Sequence, residues 1–142
     1  MGWRDWVRTV EIEPSLYAAD FWRLGEQVQP LLHAGARVFH FDVGDGHFVP
    51  PVTIGPVVLR AIAPHIHDLG GWIDCHLMVD DPAHHFQELA ESGADSVTFH
   101  VEAVDDLGSE WPAFRHPRIP EFLLTTPHRH GTSGFFVARL RV

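Results

Sequence analysis

Residues 38–53, VFHFDVGDGHFVPPVT, place side chains that bind metals or move protons at a spacing that brings them together. The segment predicts a buried β-strand in which His40 and Asp42, two residues apart, point to one side while the phenylalanines point to the other. The turn at 44–46 and the Pro50-Pro51 pair then end the strand and hold a loop over its carboxyl end. Folds of the α/β class carry their chemistry at that end of the strand.

His76 supplies a second imidazole at the carboxyl end of the next predicted strand, in the sequence Asp-Cys-His-Leu-Met. A buried Asp42 is energetically costly unless its charge is paired or bound to a metal. For His40 considered alone, a hydrogen-bonded core histidine is the common alternative. Two imidazoles and one carboxylate at neighbouring strand ends are a typical ligand set for a divalent transition metal, which favours a metal site.

Alternating strands and helices must position these groups. The predicted elements are strands over 9–16, 37–43, 72–79 and 96–102, and helices over 20–34, from 55 to a stop at Pro64, and over 81–93. This order, with short connections, predicts a parallel sheet with helical crossovers. Gly-Ala precedes two of the strands at an offset that puts His100 in the place of Asp42, so we expect His100 to point to the same side.

Composition narrows the class of protein. The chain has 142 residues, 45% hydrophobic and 20% charged, and predicts one soluble domain. A single cysteine excludes an internal disulfide, and no apolar run could span a membrane. Residues 1–8 lack the apolar region of a secretory signal, so we expect a cytoplasmic location. A net charge of −9 argues against nucleic-acid and anionic-membrane partners.

The sequence changes in character near Asp106. Residues 107–142 contain four prolines and three histidines but lack the strand-helix alternation. Residues 105–142 carry four acidic residues against five arginines, so the negative charge lies in the first 104 residues. We therefore expect a folded unit over 1–106 and an irregular, unrelated tail over 107–142.

Four motifs resemble those of the ribulose-phosphate 3-epimerase family. Residues 40–53 are similar to its pattern His-x-Asp-x-x-Asp-Gly-His-Phe-Val-Pro followed by Thr. The other three, in the same order along the chain, are Pro14-Ser15-Leu16 with Ala19-Asp20-Phe21, Cys75-His76-Leu77-Met78, and Phe99-His100-Val101-Glu102-Ala103. The resemblance covers about residues 12–104 and implies a partial TIM (β/α)8 barrel of about four βα units with parallel strands, followed by the tail.

The resemblance also implies an activity, which is the interconversion of D-ribulose 5-phosphate and D-xylulose 5-phosphate in pentose phosphate metabolism. It implies His40, Asp42 and His76 as ligands of a divalent metal ion, Zn, Fe, Mn or Co. Asp42 would also be the catalytic carboxylate that moves the proton at C3, and Ser15 and His76 would contact the sugar-phosphate substrate. A cation stabilises the negative charge that develops on the ketone oxygen when that proton leaves.

The chain departs from the family pattern in three ways. In the family, a second catalytic aspartate lies in an Asp-Gly-Gly segment, and glycine-rich loops bind the phosphate. Neither feature occurs after Val104. A full barrel takes about 250 residues, whereas this chain has 142. Gly44 replaces a methionine, which we expect to leave a void beside the metal. Pro51 replaces an asparagine and removes a hydrogen-bonding side chain from the loop.

Three interpretations remain open. The chain is a truncated or frame-shifted half of an active enzyme, a catalytically inactive metal-binding half-barrel or interaction module, or a half-barrel that completes its site as a homo-oligomer. An open sheet leaves an edge, and we expect inner side chains such as Val38, Ile73 and Val97 to lack packing partners. Poor solubility or oligomerisation is the expected result.

Overall fold

The computed structural model describes residues 11–103, 122–124 and 135–139. The helices are α1 (Leu24–His33), α2 (Pro56–Asp68) and α3 (Pro82–Glu91), and the strands are β1 (Val38–Gly44), β2 (Trp72–Met78), β3 (Ser96–His100), β4 (Phe122–Leu124) and β5 (Phe135–Arg139). Single 3-10 turns occur at Leu16–Ala18, Phe21–Arg23 and Val101–Ala103. Within these ranges, every helix is too short or too polar to cross a bilayer.

The strands form one open sheet in the order β1-β2-β3-β5-β4. Strands β1, β2 and β3 are parallel and are joined by helices, so the predicted α/β fold with parallel strands is confirmed. The register places His40 opposite Asp74, and Asp42 opposite His76. The short strands β5 and β4 continue the sheet in antiparallel pairing beyond β3. The rest of the segment 107–142 lies outside the described residues, and so do residues 1–10.

The predicted first strand is reduced to a single pairing. Residues 11–14 form no strand, and Ser15 makes one parallel bridge with His40. The carbonyl oxygen of Pro14 accepts a hydrogen bond from the His40 N–H at 3.0 Å, but Pro14 has no N–H with which the pairing could extend further along β1. The described sheet therefore contains three parallel strands where the sequence predicted four, although the segment lies at the predicted edge beside β1.

Helix α2 runs through the proline that was predicted to stop it. Pro64 lies inside the helix, which continues to Asp68. The apolar stripe extends past the proline, because Leu59 and Ile66 are both fully buried against the sheet. Packing of this stripe offsets the one hydrogen bond that Pro64 cannot donate. The helix predicted over 20–34 begins only at Leu24, without a side-chain cap. Asp20 instead caps the preceding 3-10 turn, since its side chain accepts from the backbone N–H of Trp22.

The two faces of the parallel sheet differ in chemistry. The face toward the helices is apolar, and its residues are 0–1% exposed: Phe39, Phe41, Ile73, Cys75, Leu77, Val97 and Phe99. The opposite face carries polar side chains at the alternate positions: His40, Asp42, Asp74, His76, Ser96, Thr98 and His100. The expectation that Val38, Ile73 and Val97 lack packing partners is wrong, because all three are 0% exposed and the latter two belong to the core under the helices.

Candidate metal centre

Asp42 lies at the centre of a cluster on the polar face of the sheet. Its Oδ1 is 3.1 Å from His40 Nε2 and 3.2 Å from His76 Nδ1. Its Oδ2 accepts a hydrogen bond of 2.6 Å from the Ser15 hydroxyl. The structure thus brings together all four site residues that the sequence predicted. Ser15 lies before the first 3-10 turn, His40 and Asp42 lie on β1, and His76 lies on β2.

His40 uses its two ring nitrogens in different directions. While Nε2 faces Asp42, Nδ1 faces two other carboxylates, with Glu13 Oε2 at 3.5 Å and Asp74 Oδ2 at 3.9 Å. The His40 side chain is 26% exposed, so the ring is held between a carboxylate on each side and keeps limited access to solvent.

His76 connects the cluster to β3. Its Nδ1 faces Asp42, and its Nε2 lies 3.0 Å from Nε2 of His100. The His76 and His100 rings stack with centroids 5.1 Å apart, and Phe48 packs on the far side of His100 at 5.0 Å. The prediction that His100 points to the same side as Asp42 is confirmed.

The carboxylates and imidazoles of this cluster shift one another's pKa values. Burial alone would raise the pKa of Asp42, but hydrogen bonds from His40, His76 and Ser15 outweigh it and hold that pKa well below its usual range. The hydrogen bond with Asp42, followed by that with Glu13, raises the pKa of His40 to about 10. For His100, burial and the neighbouring His76 lower the pKa. The carboxylates of Asp42 and Glu13 therefore stabilise the positively charged form of the His40 ring.

The donor atoms fit a divalent transition metal. His40, Asp42 and His76 each offer one ligand atom, and these atoms all lie within 4.8 Å of one another. Two imidazole nitrogens and a carboxylate oxygen suit zinc, iron, manganese and cobalt, and a carboxylate kept ionised is the form that binds. The residues present are therefore chemically suited to the predicted metal.

The loop after β1 fills the space beside Gly44. A Cβ atom placed on Gly44 would lie 2.8 Å from the carbonyl oxygen of Pro51 and 3.0 Å from a methyl of Val49. The expectation that Gly44 leaves a void is therefore wrong, because the backbone of the loop occupies that space. Thr53 fixes this arrangement, since its hydroxyl accepts from the Gly44 N–H at 2.6 Å.

The carboxylate of Asp45 holds the same loop through hydrogen bonds from backbone N–H groups. Its Oδ1 accepts from the backbone N–H groups of His47 and Phe48, at 2.8 and 2.9 Å. Its Oδ2 accepts from the N–H of Asp80 at 2.9 Å, which joins the loop after β1 to the loop after β2. These contacts make Asp45 a turn-forming residue of the loop.

Two carboxylates near the site were missed by reasoning from the sequence. Asp74 is 4% exposed and accepts hydrogen bonds from the hydroxyls of Ser96 and Thr98, the latter at 2.9 Å. Burial raises its pKa. The signal for Asp74 was its place two residues before His76 on one strand. Glu13 likewise precedes Ser15 by two residues. The alternation of side chains along an extended segment would therefore have placed Asp74 and Glu13 beside the site.

One family model and several known proteins match the sequence of this chain. The model of the ribulose-phosphate 3 epimerase family matches residues 11–114. The ribulose-phosphate 3-epimerase of Bacillus subtilis (strain 168) is 34% identical over 119 residues, which are 84% of this chain and 54% of that protein. That of Escherichia coli (strain K12) is 47% identical over 92 residues, 65% of this chain and 40% of that protein.

A third relative is the cytoplasmic isoform of ribulose-phosphate 3-epimerase from Oryza sativa subsp. japonica, 38% identical over 96 residues, 68% of this chain and 41% of that protein. The chain thus spans about half the length of the curated relatives it matches. The three parallel strands and the polar cluster, which extend from Ser15 to His100, lie within the matched segment, whereas the short strands β4 and β5 lie outside it.

Proposed function

The chain belongs to the ribulose-phosphate 3-epimerase family, and on this basis we propose that it binds a divalent metal ion and moves the proton at C3 of D-ribulose 5-phosphate. This reaction leads toward D-xylulose 5-phosphate. The proposed ligands are His40, Asp42 and His76, and the proposed base is Asp42. The names of the relatives support the substrate, and the polar cluster supports the metal and the base.

One observation carries the proposal, which is the contact of a single carboxylate with two imidazoles and a hydroxyl. Asp42 lies within 3.2 Å of His40 and His76 and accepts from Ser15. These contacts hold the pKa of Asp42 below its usual range, so the carboxylate stays ionised, which is the form that binds a metal.

The chemistry of each residue follows from its position. A bound divalent cation would act as a Lewis acid toward the ketone oxygen of the substrate. Asp42 would remove the C3 proton, and Ser15 would keep the second carboxylate oxygen oriented. His76, which touches both Asp42 and His100, would lie beside the substrate on the β2 side.

Inversion at C3 needs a second acid that returns a proton from the opposite side. In the family pattern that residue lies in an Asp-Gly-Gly segment, and none follows Val104 in this sequence. The proposal for this polypeptide therefore centres on proton exchange at C3, with formation of xylulose 5-phosphate as the further step. We also propose that the chain divides into a folded unit over 1–106 and a tail over 107–142. A cytoplasmic location, as named for the relative from Oryza sativa, is likewise a proposal.

Solvent exchange tests the proposal. Purified protein loaded with Mn or Zn is incubated with D-ribulose 5-phosphate in D2O, and proton NMR follows the C3 signal. Loss of that signal, together with an unchanged C3 signal in the Asp42→Asn variant, is the expected result. The same spectra show whether D-xylulose 5-phosphate forms.

The alternative function is metal binding without catalysis, as expected of a half-barrel or interaction module. The cluster of His40, Asp42 and His76 supports this alternative as well, because metal binding needs only these three side chains. It predicts one bound metal ion per chain and a C3 proton signal that persists in D2O. Mass spectrometry of the native protein adds the oligomeric state, and a dimer would support the homo-oligomer that an open sheet edge predicts.

A further inference from the structure

We propose that Glu13 is a positioning residue for the metal centre, which orients His40 by accepting a hydrogen bond from its Nδ1–H. The inference rests on the proposed metal-binding function. Histidines that ligate metals commonly donate their other ring N–H to a carboxylate, which fixes the tautomer and the ring orientation. In His40 the nitrogen that faces Asp42 is Nε2, so Nδ1 is the nitrogen left for such a partner.

The distances distinguish Glu13 from the other carboxylate nearby. Glu13 Oε2 lies 3.5 Å from His40 Nδ1, whereas Asp74 Oδ2 lies 3.9 Å away. The two oxygens of Asp74 also accept from the hydroxyls of Ser96 and Thr98. Glu13 is therefore the better acceptor for His40, and Asp74 adds negative charge behind the ring.

The backbone gives Glu13 a fixed place beside β1. The segment that carries it is anchored by the hydrogen bond from the His40 N–H to Pro14 and by the bridge between Ser15 and His40. Glu13 and Ser15 are two residues apart, and each contacts one proposed ligand, His40 and Asp42 respectively. One short extended segment thus orients two ligands at once.

Cobalt binding to the full chain tests this role without any measurement of catalysis. Co(II) is titrated into wild type, Glu13→Ala, Glu13→Gln and Glu26→Ala, and the visible absorption of the bound ion reports affinity, stoichiometry and geometry. Glu26 is an exposed glutamate in α1 that pairs with Arg23, so Glu26→Ala is the charge-matched control. Melting of each metal-free variant checks that it folds.

Glu13→Ala is expected to weaken cobalt binding by about 10- to 100-fold, as for other partners of ligating histidines. Glu13→Gln keeps an acceptor oxygen and is expected to restore most of the affinity, while Glu26→Ala binds like wild type. Each protein should bind one ion per chain. Equal affinity in Glu13→Ala and wild type would overturn the inference, and so would equal losses in the Ala and Gln variants.

Two further outcomes separate this inference from the proposed function. A second cobalt ion that is lost in Glu13→Ala would make Glu13 a ligand and would overturn its positioning role while the proposed function stands. No cobalt binding by wild type would overturn both. Binding by wild type with no effect of Glu13→Ala would overturn only the positioning role.

Discussion

The hydroxyl of Thr53 donates a hydrogen bond of 2.6 Å to the backbone carbonyl oxygen of Asp42, eleven residues earlier in the chain. The same hydroxyl accepts from the N–H of Gly44, and the Thr53 N–H donates to the Gly44 carbonyl oxygen at 3.2 Å. These three bonds tie the loop after β1 to the end of that strand. The backbone at Asp42, the central residue of the candidate metal centre, is therefore held by the loop after β1.

Replacement of this hydroxyl should destabilise the fold more than removal of the adjacent methyl group. Thr53→Val leaves the Gly44 N–H and the Asp42 carbonyl oxygen without their partner, at a cost of about 1–3 kcal/mol for each buried group. Thr53→Ser keeps the hydroxyl and should lose less than about 1 kcal/mol. Urea denaturation measures both free energies of unfolding. Equal stability of the two variants would show that the hydroxyl does not hold the loop.

Asp42→Asn should abolish tight metal binding without unfolding the protein. The amide keeps the shape of the side chain but removes the charge that faces His40 and His76. The metal affinity should fall by more than about 100-fold, because removal of a residue that only orients a ligand already lowers affinity by about 10–100-fold. Isothermal titration with Zn(II) measures the affinity, and Asp68→Asn, at the exposed end of α2, is the control. Zinc binding by Asp42→Asn with wild-type affinity would contradict the proposed ligand set.

Substitution by alanine should destabilise the fold at Gly44 and stabilise it at Gly25. A Cβ at Gly44 would lie 2.8 Å from the Pro51 backbone oxygen, so Gly44→Ala forces the loop to shift and should cost about 1–3 kcal/mol. Gly25 lies in α1 with no atom within 4 Å of an added Cβ, so Gly25→Ala should stabilise by about 0.5–1 kcal/mol. Thermal unfolding of the two variants measures the difference. A stabilising effect of Gly44→Ala would mean that the loop does not lie against the strand.

Cys75 should resist thiol reagents in the native protein. It is the single cysteine of the chain, is 0% exposed and faces the helices, and burial raises the pKa of its thiol well above the usual value. Reaction requires local opening of the sheet, so the native rate should be slower by about two orders of magnitude or more than in denaturant. Absorbance of released thionitrobenzoate measures both rates. Rapid reaction of the folded protein would show that β2 is not packed as described.

Local sequence patterns predicted much of the sheet and its site. Alternation at Phe39, His40, Phe41 and Asp42 separates an apolar face from a polar one, because successive side chains of any strand point to opposite sides. The same rule placed His76 and His100 on the polar face, and the matched motifs gave the family. Pro64 and the first strand were predicted wrongly, because packing of Ile66 and the missing N–H of Pro14 outweigh local propensity.

Only the tertiary structure decided which polar groups meet. The parallel register that sets Asp42 opposite His76 depends on how two strands far apart in sequence pair, and a shift of one residue would move one of them to the other face. The contact of Glu13 with His40, the filled space beside Gly44 and the bond from Thr53 to Asp42 depend likewise on segments that approach across the sheet or over its end. A sequence states which side of a strand a residue occupies, whereas the distance between two such residues is set by the packing of the whole chain.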